Sequence, residues 1–434
     1  MTKHTKYQIE FLWLALGMIS LFIATCFAIL LVAAKSPLLG TLLSDTESFQ
    51  RALVLHVNLN IVLWIGSIAC YLWSRTLPAG MIIFNVSLSF IGLTLLLTVY
   101  FSAAQPLLNN YVPVFDDQRY FTGILLILSS FVITAIQWLL INKPKRPALI
   151  GPNENWSLSL LALLLLSVIT VLALSFFKLD YQPNSARFFE QLLWGPGHLW
   201  QLFSLQLMIT VWAKFGLITR HTFSEKLIWS IPAIASLTAI AAAVLYAPDS
   251  GDYRMFYTQH MRIFSFWILP VILATAFWRT VHIESRAMQL SAVLFLFGAF
   301  IGLLIRVDNL MVPAHYHAVT GAINLSMMAL VLCIVTRTKE NQRLVRLQMH
   351  FYATSVAMLA AGLAWSGSLG GVRKVTLSAQ TIDSWQHISV LGLMGVGGIL
   401  AATAIFLFMG ISLLQLRKIK FKKSALTPMV RSQN

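Results

Sequence analysis

Two histidines separated by one residue are the most informative chemical feature of this sequence. His315 and His317 lie in the segment PAHYHAVTG, residues 313–321. On an α-helix, residues two apart point about 200° apart, so these two imidazoles cannot bind one metal from one face. They can bind two metals on opposite faces of the same helix. Imidazole is the commonest protein ligand for iron and copper, so the pair predicts one helix that serves two metal centres.

The residues around this pair favour a helix that packs against a flat group. Pro313 is well suited to the first turn, where its missing N–H costs nothing. Gly321 follows His317 by four residues, which places it on the same helical face. We therefore expect Gly321 to remove a side chain that would collide with a porphyrin.

Six of the ten histidines share one depth in the predicted membrane. Each lies within about ten residues of one end of an apolar segment, and every such segment runs in the same direction. Polar side chains inside a bilayer are costly and usually functional. Any single member is equally well explained by an interhelical hydrogen bond, but the set predicts a metal or haem role. The six are His56, His198, His260, His315, His317 and His387.

The elements that must position these histidines are membrane-spanning helices. The 434 residues are 58% hydrophobic and only 11% charged, and a soluble fold cannot hide that much apolar surface. The sequence predicts an all-α membrane protein of about twelve transmembrane helices, with one domain over residues 1–416 and a basic tail over 417–434. The predicted spans are 10–34, 52–74, 79–104, 120–142, 156–178, 189–213, 227–246, 257–278, 287–306, 313–336, 350–369 and 385–416.

The charge distribution predicts the orientation of these helices. The net charge is +16, but the basic residues collect in alternate loops rather than on one surface. That pattern is typical of cytoplasmic loops, so we expect lipid, and not nucleic acid, as the surrounding partner. It places both termini in the cytoplasm of a bacterial cell, with the protein in the inner membrane. The three cysteines are far apart and no CxxCH motif occurs, which excludes covalent c-type haem within this sequence.

With these motifs in place, the sequence resembles the catalytic subunit of the haem-copper oxidase superfamily, including cbb-type oxidases and nitric oxide reductases. The resemblance spans nearly the whole chain, and the His-x-His of helix 10 is its most specific motif. It implies that His56, in RALVLHVNLN, and His317 are the two axial ligands of a low-spin haem b. It implies that His315 is the proximal ligand of a high-spin haem b.

The resemblance also implies a second metal, copper or non-haem iron, beside the high-spin haem. His198, in WGPGHLWQ, is similar to the first ligand of that metal. The family's His-His doublet is missing, because the corresponding stretch reads LYAPDSG, residues 245–251. His260 is the nearest replacement, and the alternatives left open are a haem propionate, a water or an empty site. Tyr246 is an imperfectly placed equivalent of the catalytic tyrosine of cbb-type oxidases.

Smaller features complete the expected site. Arg373 and Lys374 resemble the basic pair that binds haem propionates, since a guanidinium pairs well with a carboxylate; an ordinary loop charge is the alternative. Glu190 is expected to be an interfacial residue. His387 matches no known ligand of the family.

The resemblance implies an enzyme that passes electrons from the low-spin haem to the high-spin haem and reduces oxygen or nitric oxide. Its electrons would come from cytochrome c, a quinol or a partner redox subunit. A second interpretation is a non-catalytic membrane haem protein that binds or senses gas or haem and has lost the second metal. A transporter is a third, and it predicts acidic residues within helices, which are almost absent here.

Overall fold

The protein is an all-α membrane bundle, as the sequence predicts. The computed structural model describes residues 3–35, 45–142, 154–214, 223–266, 283–335, 342–374 and 385–418. Within these residues there are twelve helices, numbered here in chain order: α1 (Lys3–Ala34), α2 (Thr46–Ser74), α3 (Ala79–Tyr100), α4 (Gln118–Ile141), α5 (Glu154–Lys178), α6 (Ala186–Lys214), α7 (Phe223–Leu245), α8 (Gly251–Phe266), α9 (Ile283–Leu303), α10 (Met311–Val335), α11 (Gln342–Ser368) and α12 (Trp385–Lys418).

Eight of the described helices are long and apolar enough to cross a membrane: α1 to α5, α9, α10 and α12. The chain is therefore a multi-pass membrane protein. Among the other four, α6 is long but carries buried polar groups, including His198 and Gln206. The described part of α8 ends at Phe266, so the rest of the predicted span 257–278 lies outside the described residues. Most of the predicted tail, residues 419–434, lies outside them as well.

Helix α2 begins six residues before its predicted start, because Asp45 caps it. The Asp45 carboxylate accepts hydrogen bonds from the backbone N–H groups of Glu47 and Ser48, at 3.1 and 3.2 Å. An aspartate at this position satisfies amide groups that have no helical partner. The extra turns bring Arg51 into the helix.

The buried Arg51 side chain caps the C-terminal end of helix α3. Its guanidinium donates to the backbone carbonyls of Val99 and Tyr100, at 2.9 and 2.6 Å, and to those of Ser102 and Ala104, both at 2.5 Å. The last carbonyls of a helix have no helical donor. Arg51 supplies these donors and fixes the start of the loop that follows.

That loop contains a short hairpin that the sequence analysis did not predict. Strand β1 (Pro106–Leu107) pairs antiparallel with β2 (Val114–Phe115). Asn58 of helix α2 holds the hairpin: its amide donates to Pro113 O at 2.8 Å, and its carbonyl oxygen accepts from the Tyr120 hydroxyl at 2.9 Å. The hairpin turn, residues 108–113, therefore lies over the end of the bundle where the even-numbered helices begin, called the site end below.

Small and polar residues bring neighbouring helices close together. Gly92 of α3 and Gly123 of α4 are so near that a Cβ on Gly92 would lie 2.5 Å from the Gly123 carbonyl oxygen. On the same pair of helices, Ser89 and Ser130 share a hydrogen bond of 2.5 Å. Without a hydrophobic force between helices in lipid, such close approach and hydrogen bonding stabilise the bundle.

Candidate haem site

His56 and His317 line a single cavity of about 290 Å³ at the site end. Helices α1, α2, α10, α11 and α12 and the hairpin turn form its walls. Most of the lining is apolar, with several small residues: Ala24, Ala28, Gly321, Gly398, Ala401 and Ala402. Two histidines on different helices and a wall of small side chains leave room for a flat group between them.

The hydrogen bonds of these two histidines orient both rings in the same way. His56 Nδ1 donates to Ala24 O at 2.9 Å, and His317 Nδ1 donates to Pro313 O at 2.7 Å. A carbonyl oxygen can only accept, so each Nδ1 carries the proton and each Nε2 keeps its lone pair. This is the tautomer that a histidine ligand to iron needs, with the second nitrogen anchored to the protein.

A π-helical segment begins two residues after His56 and forms part of this wall. Residues Asn58–Trp64 of helix α2 form a π-helix, an arrangement often found at functional sites. Two side chains from neighbouring helices donate hydrogen bonds to backbone carbonyls within this π-helix. Ser20 Oγ donates to Leu59 O at 2.6 Å, and Trp200 Nε1 donates to Ile61 O at 3.0 Å.

Two cationic side chains line the cavity and could pair with the carboxylates of a bound group. Arg373 and Lys374 both line the cavity. Arg373 Nε forms an ion pair with Asp308 Oδ1 at 2.7 Å, but neither Nε nor Nη2, both buried, has a partner in hydrogen-bond geometry among the described residues. Lys374 Nζ donates to Asn110 Oδ1 at 3.2 Å. Burial and the adjacent Arg373 charge lower the pKa of Lys374.

Lys35 is a third cation on the cavity wall, directly after the spanning part of helix α1. Burial lowers its pKa to about 8. Its ammonium lies 5.9 Å from the centre of the Phe49 ring. An anionic ligand in the cavity would favour the charged form of this side chain.

His315 points to the other side of helix α10, as its spacing from His317 predicts. Its Nδ1 donates to Gly298 O of helix α9 at 2.8 Å, so Nε2 again keeps its lone pair. The ring lies directly against Gly302, where an added Cβ would come within 2.7 Å of Nδ1. The His315 ring can therefore occupy this position only because residue 302 has no side chain.

Gly321 lines the cavity, but its closest neighbour gives a second reason for the missing side chain. A Cβ on Gly321 would lie 2.6 Å from Val356 Cγ1 of helix α11. The glycine thus permits close packing of α10 and α11 in addition to clearing the cavity wall.

His198 is buried on helix α6, where it contacts Trp194 and Tyr111. Its Nδ1 donates to Trp194 O at 2.6 Å, and the Tyr111 hydroxyl oxygen lies against the ring, 2.6 Å from Nε2 and 3.0 Å from Nδ1. Tyr111 comes from the hairpin turn and also lines the His56–His317 cavity. Burial raises the pKa of Tyr111 well above its usual value, followed by the effects of Tyr316 and Glu190. The phenol is therefore a neutral donor.

His260 lies on helix α8 with the opposite ring orientation. Its Nε2 donates to Ala235 O at 3.0 Å and lies 3.1 Å from Thr238 Oγ1, and its buried Nδ1 has no partner among the described residues. The Tyr257 ring lies next to both histidines, with its centre 6.5 Å from that of His198 and 6.3 Å from that of His260. Among the residues that the structure describes, no three His, Cys, Asp or Glu side chains form a group that could hold a metal ion.

The remaining predicted residues lie around this centre. Tyr246, just after helix α7, packs on Phe256 with ring centres 6.1 Å apart, and its backbone carbonyl accepts from Lys178. Glu190 accepts from the backbone and side-chain amides of Asn110 at 2.7 and 2.5 Å. It thus anchors the hairpin turn. His387 is half-buried in the first turn of helix α12.

Sequence reasoning missed Tyr111, Asn58 and the π-helical segment. Tyr111 lies in a polar loop without periodicity, so nothing in the sequence indicates that it reaches His198. Asn58 follows His56 by two residues, and a polar side chain in an otherwise apolar span is a signal that was present.

The residues of the cavity fit a low-spin haem. Both imidazoles present unprotonated Nε2 atoms, the walls are small and apolar, and a buried guanidinium N–H lacks a partner at the rim. Near His198, the described residues do not form the group of three ligands that a copper or non-haem iron ion would need.

The fold and this cavity define a helical membrane protein with a paired-histidine pocket. The chain has the fold of a solved heme-copper terminal oxidase dimer subunit, with a TM-score of 0.63 over 100% of this chain and 86% of that chain, at 15% identity. That likeness confirms the predicted fold class. No protein-family model matches the chain.

Two sequence relatives align with this chain over most of their own length. An uncharacterized protein of Rickettsia prowazekii (strain Madrid E) is 22% identical over an alignment of 498 positions, gaps included, which covers 91% of this chain and 93% of the relative. An uncharacterized protein of Aquifex aeolicus (strain VF5) is 24% identical over an alignment of 329 positions. The alignment covers 74% of this chain and 82% of the relative.

Proposed function

We propose that this chain is a membrane oxidoreductase in which His56 and His317 hold a low-spin haem b and His315 holds a high-spin haem b. Such a pair of haems would supply one-electron chemistry by which electrons from an external donor could reduce oxygen or nitric oxide. The observation that supports this most directly is the shared cavity, with two histidines of the same tautomer on its walls and cations at its rim.

When bound, haem supplies reversible one-electron chemistry at its iron. The residues of the chain decide what each position allows. His56 and His317 would hold the first haem with two imidazoles, which would leave no place for a gas there. His315 would hold the second haem with a single imidazole, which would allow that haem to bind a gas. Arg373 and Lys374 would hold the carboxylates and fix the orientation of the ring.

The electron donor must come from outside the described site. We propose cytochrome c, a quinol or a partner redox subunit as donor, a diatomic gas as substrate and membrane lipid around the bundle. The loop charges support a bacterial inner-membrane location with both termini in the cytoplasm and the site end outside.

The first experiment is a reduced-minus-oxidised absorption spectrum of the purified protein, with haem and metal quantitation. We expect two haems b per chain, one low-spin and one high-spin, and consumption of oxygen or nitric oxide with an artificial donor. A colourless protein that binds no added haem would reject the proposal.

The arrangement around His198 and His260 favours a second candidate function. A non-catalytic membrane haem protein that binds or senses gas or haem needs the three histidines His56, His315 and His317 but no second metal. Two haems without any gas consumption would support this candidate over the oxidoreductase.

A further inference from the structure

We propose that Lys35 binds one of the two carboxylates of the haem in the His56–His317 cavity, while Arg373 and Lys374 bind the other. The inference rests on the proposed function, which supplies the haem, and it narrows the role of Arg373 and Lys374 to one carboxylate. The cavity then selects a ring that carries two separate negative charges on the edge nearest the site end.

Lys35 continues the face of helix α1 that lines the cavity. Its backbone N–H bonds Val32 O at 3.2 Å, so the helical path extends to this residue. The lining residues of this segment recur every three or four positions, which is the spacing of one helical face. Lys35 is the last of them, after Leu21, Ala24, Thr25, Ala28, Leu31 and Val32.

The ammonium group of Lys35 lies on the site-end side of His56. It is 5.9 Å from the centre of the Phe49 ring, and Phe49 precedes His56 on helix α2 by seven residues. Seven residues of helix are about two turns, or about 10 Å along the axis. Haem carries both of its carboxylates on one edge of the ring, so a cation at this level favours binding with that edge outermost.

Lys35 and the other two cations occupy different walls of the cavity. Lys35 packs on Phe49, whereas Arg373 pairs with Asp308 at 2.7 Å and Lys374 donates to Asn110 at 3.2 Å. Burial alone lowers the pKa of Lys35, while the charge of Arg373 contributes to the lowered pKa of Lys374. The cations therefore provide two separate positions for negative charge.

The fold supplies no anion for Lys35. Its ammonium makes no hydrogen bond and no ion pair with any residue that the structure describes. Lys178, which ends helix α5 as Lys35 follows helix α1, donates to the carbonyls of Ala243 and Val244, both at 2.8 Å. A partly buried charge without a partner costs free energy, so Lys35 requires an anion from a bound ligand.

The first test measures how fast the purified full-length protein loses its low-spin haem to an excess of apomyoglobin. For Lys35→Met we expect about tenfold faster loss, because a charge-assisted bond to a carboxylate is missing. Lys35→Arg keeps the charge and should restore most of the retention. Lys178→Met is the matched control and should leave the rate unchanged. Equal rates for Lys35→Met and the wild type would overturn the proposal.

The second test changes the carboxylates of the ligand. Protein depleted of haem is refilled with haem dimethyl ester, in which both carboxylates are neutral. Lys35→Met and the wild type should lose this ester at the same rate. Faster loss of the ester from Lys35→Met would show that the lysine acts without a carboxylate and would overturn the proposal.

A double variant tests whether the two positions are separate. With unmodified haem, the effects of Lys35→Met and Arg373→Gln should multiply to about a hundredfold faster loss, as expected for independent contacts. A double variant that loses haem no faster than either single variant would show that both cations hold the same carboxylate, which contradicts the proposal.

The stability of the haem-free protein separates ligand binding from a structural role. Lys35→Met should raise its Tm, because it removes an unpaired charge, although the same change weakens haem retention. A lower Tm would indicate a structural lysine and would overturn the proposal. A lysine that binds a lipid phosphate instead predicts a Tm that rises with added phosphatidylglycerol, and haem loss that Lys35→Met does not change; that result would also overturn it.

The failure of this inference is distinct from a failure of the proposed function. A protein that binds no haem rejects the proposed function. Haem that binds, but leaves the wild type and Lys35→Met at equal rates, rejects the role of Lys35 alone.

Discussion

His56 and His317 line one cavity, and the same ring nitrogen of each is anchored to a backbone carbonyl. Each Nδ1 donates to a backbone carbonyl, Ala24 O at 2.9 Å and Pro313 O at 2.7 Å. Each Nε2 consequently keeps its lone pair. The relationship joins helix α2 to helix α10 and explains why the two residues would act as one binding unit.

Replacing either member should remove one haem of two. For His56→Ala or His317→Ala we expect haem content to fall from about two to about one per chain, with loss of the low-spin absorption bands. The high-spin signal should remain, because His315 faces the opposite side of the helix. His350→Ala is the control, since that exposed side chain bonds only the carbonyl of Arg346 on its own helix, at 2.9 Å. Unchanged low-spin bands in both variants would contradict the pairing.

Arg373→Gln should weaken haem retention, because a charge-assisted bond from a buried guanidinium to a carboxylate is strong. We expect about a tenfold faster loss of haem to an excess of apomyoglobin, which corresponds to about 1.4 kcal/mol. Asp308→Asn separates two explanations. It breaks the 2.7 Å ion pair with Arg373 but frees the guanidinium for haem. Equal haem loss in both variants would indicate that the ion pair alone matters.

Gly302→Ala should disturb the second haem and leave the first one unchanged. The added Cβ would lie 2.7 Å from His315 Nδ1 and 2.9 Å from its Cε1, and such overpacking costs about 1–3 kcal/mol. The measurement is the high-spin spectrum and its shift on binding carbon monoxide. Gly395→Ala is the control, because a Cβ there meets nothing within 4 Å. A normal high-spin signal in Gly302→Ala would contradict the role of His315.

Lys35 predicts a pH dependence for the haem-free protein. Its pKa is lowered from 10.5 to about 8 by burial, so the unfolded chain binds more protons than the folded chain between these values. Stability should rise as pH increases from 8 to 10.5, by on the order of 3 kcal/mol. Lys35→Met should reduce the rise, leaving the part due to Lys374, whose pKa is also lowered, and should raise Tm at pH 7.

The control for this prediction is Lys178→Met. Lys178 bonds the backbone carbonyls of Ala243 and Val244, both at 2.8 Å, and its loss should leave the rise with pH in place. A rise of equal size in Lys35→Met would assign the effect to another group. Thermal unfolding in detergent between pH 7 and 10 decides this.

The sequence by itself determined the helical elements of this protein. Apolar runs of spanning length gave the helices, because the length of each run is a local property set by membrane thickness. The opposite directions of His315 and His317 also follow from local helix geometry, and the structure confirms them. The start of helix α2 was predicted too late, since hydropathy does not register the Asp45 cap.

Only the tertiary structure decided which residues meet. The approach of His56 to His317, of Tyr111 to His198 and of Gly321 to Val356 depends on how helices far apart in sequence pack together. The ring orientation of each histidine was equally hidden, because it depends on which backbone carbonyl of a neighbouring turn or helix lies within hydrogen-bonding distance. Hydropathy and spacing predict which side chains a single helix carries and on which face they lie. Which residues those side chains contact depends on how the whole bundle packs.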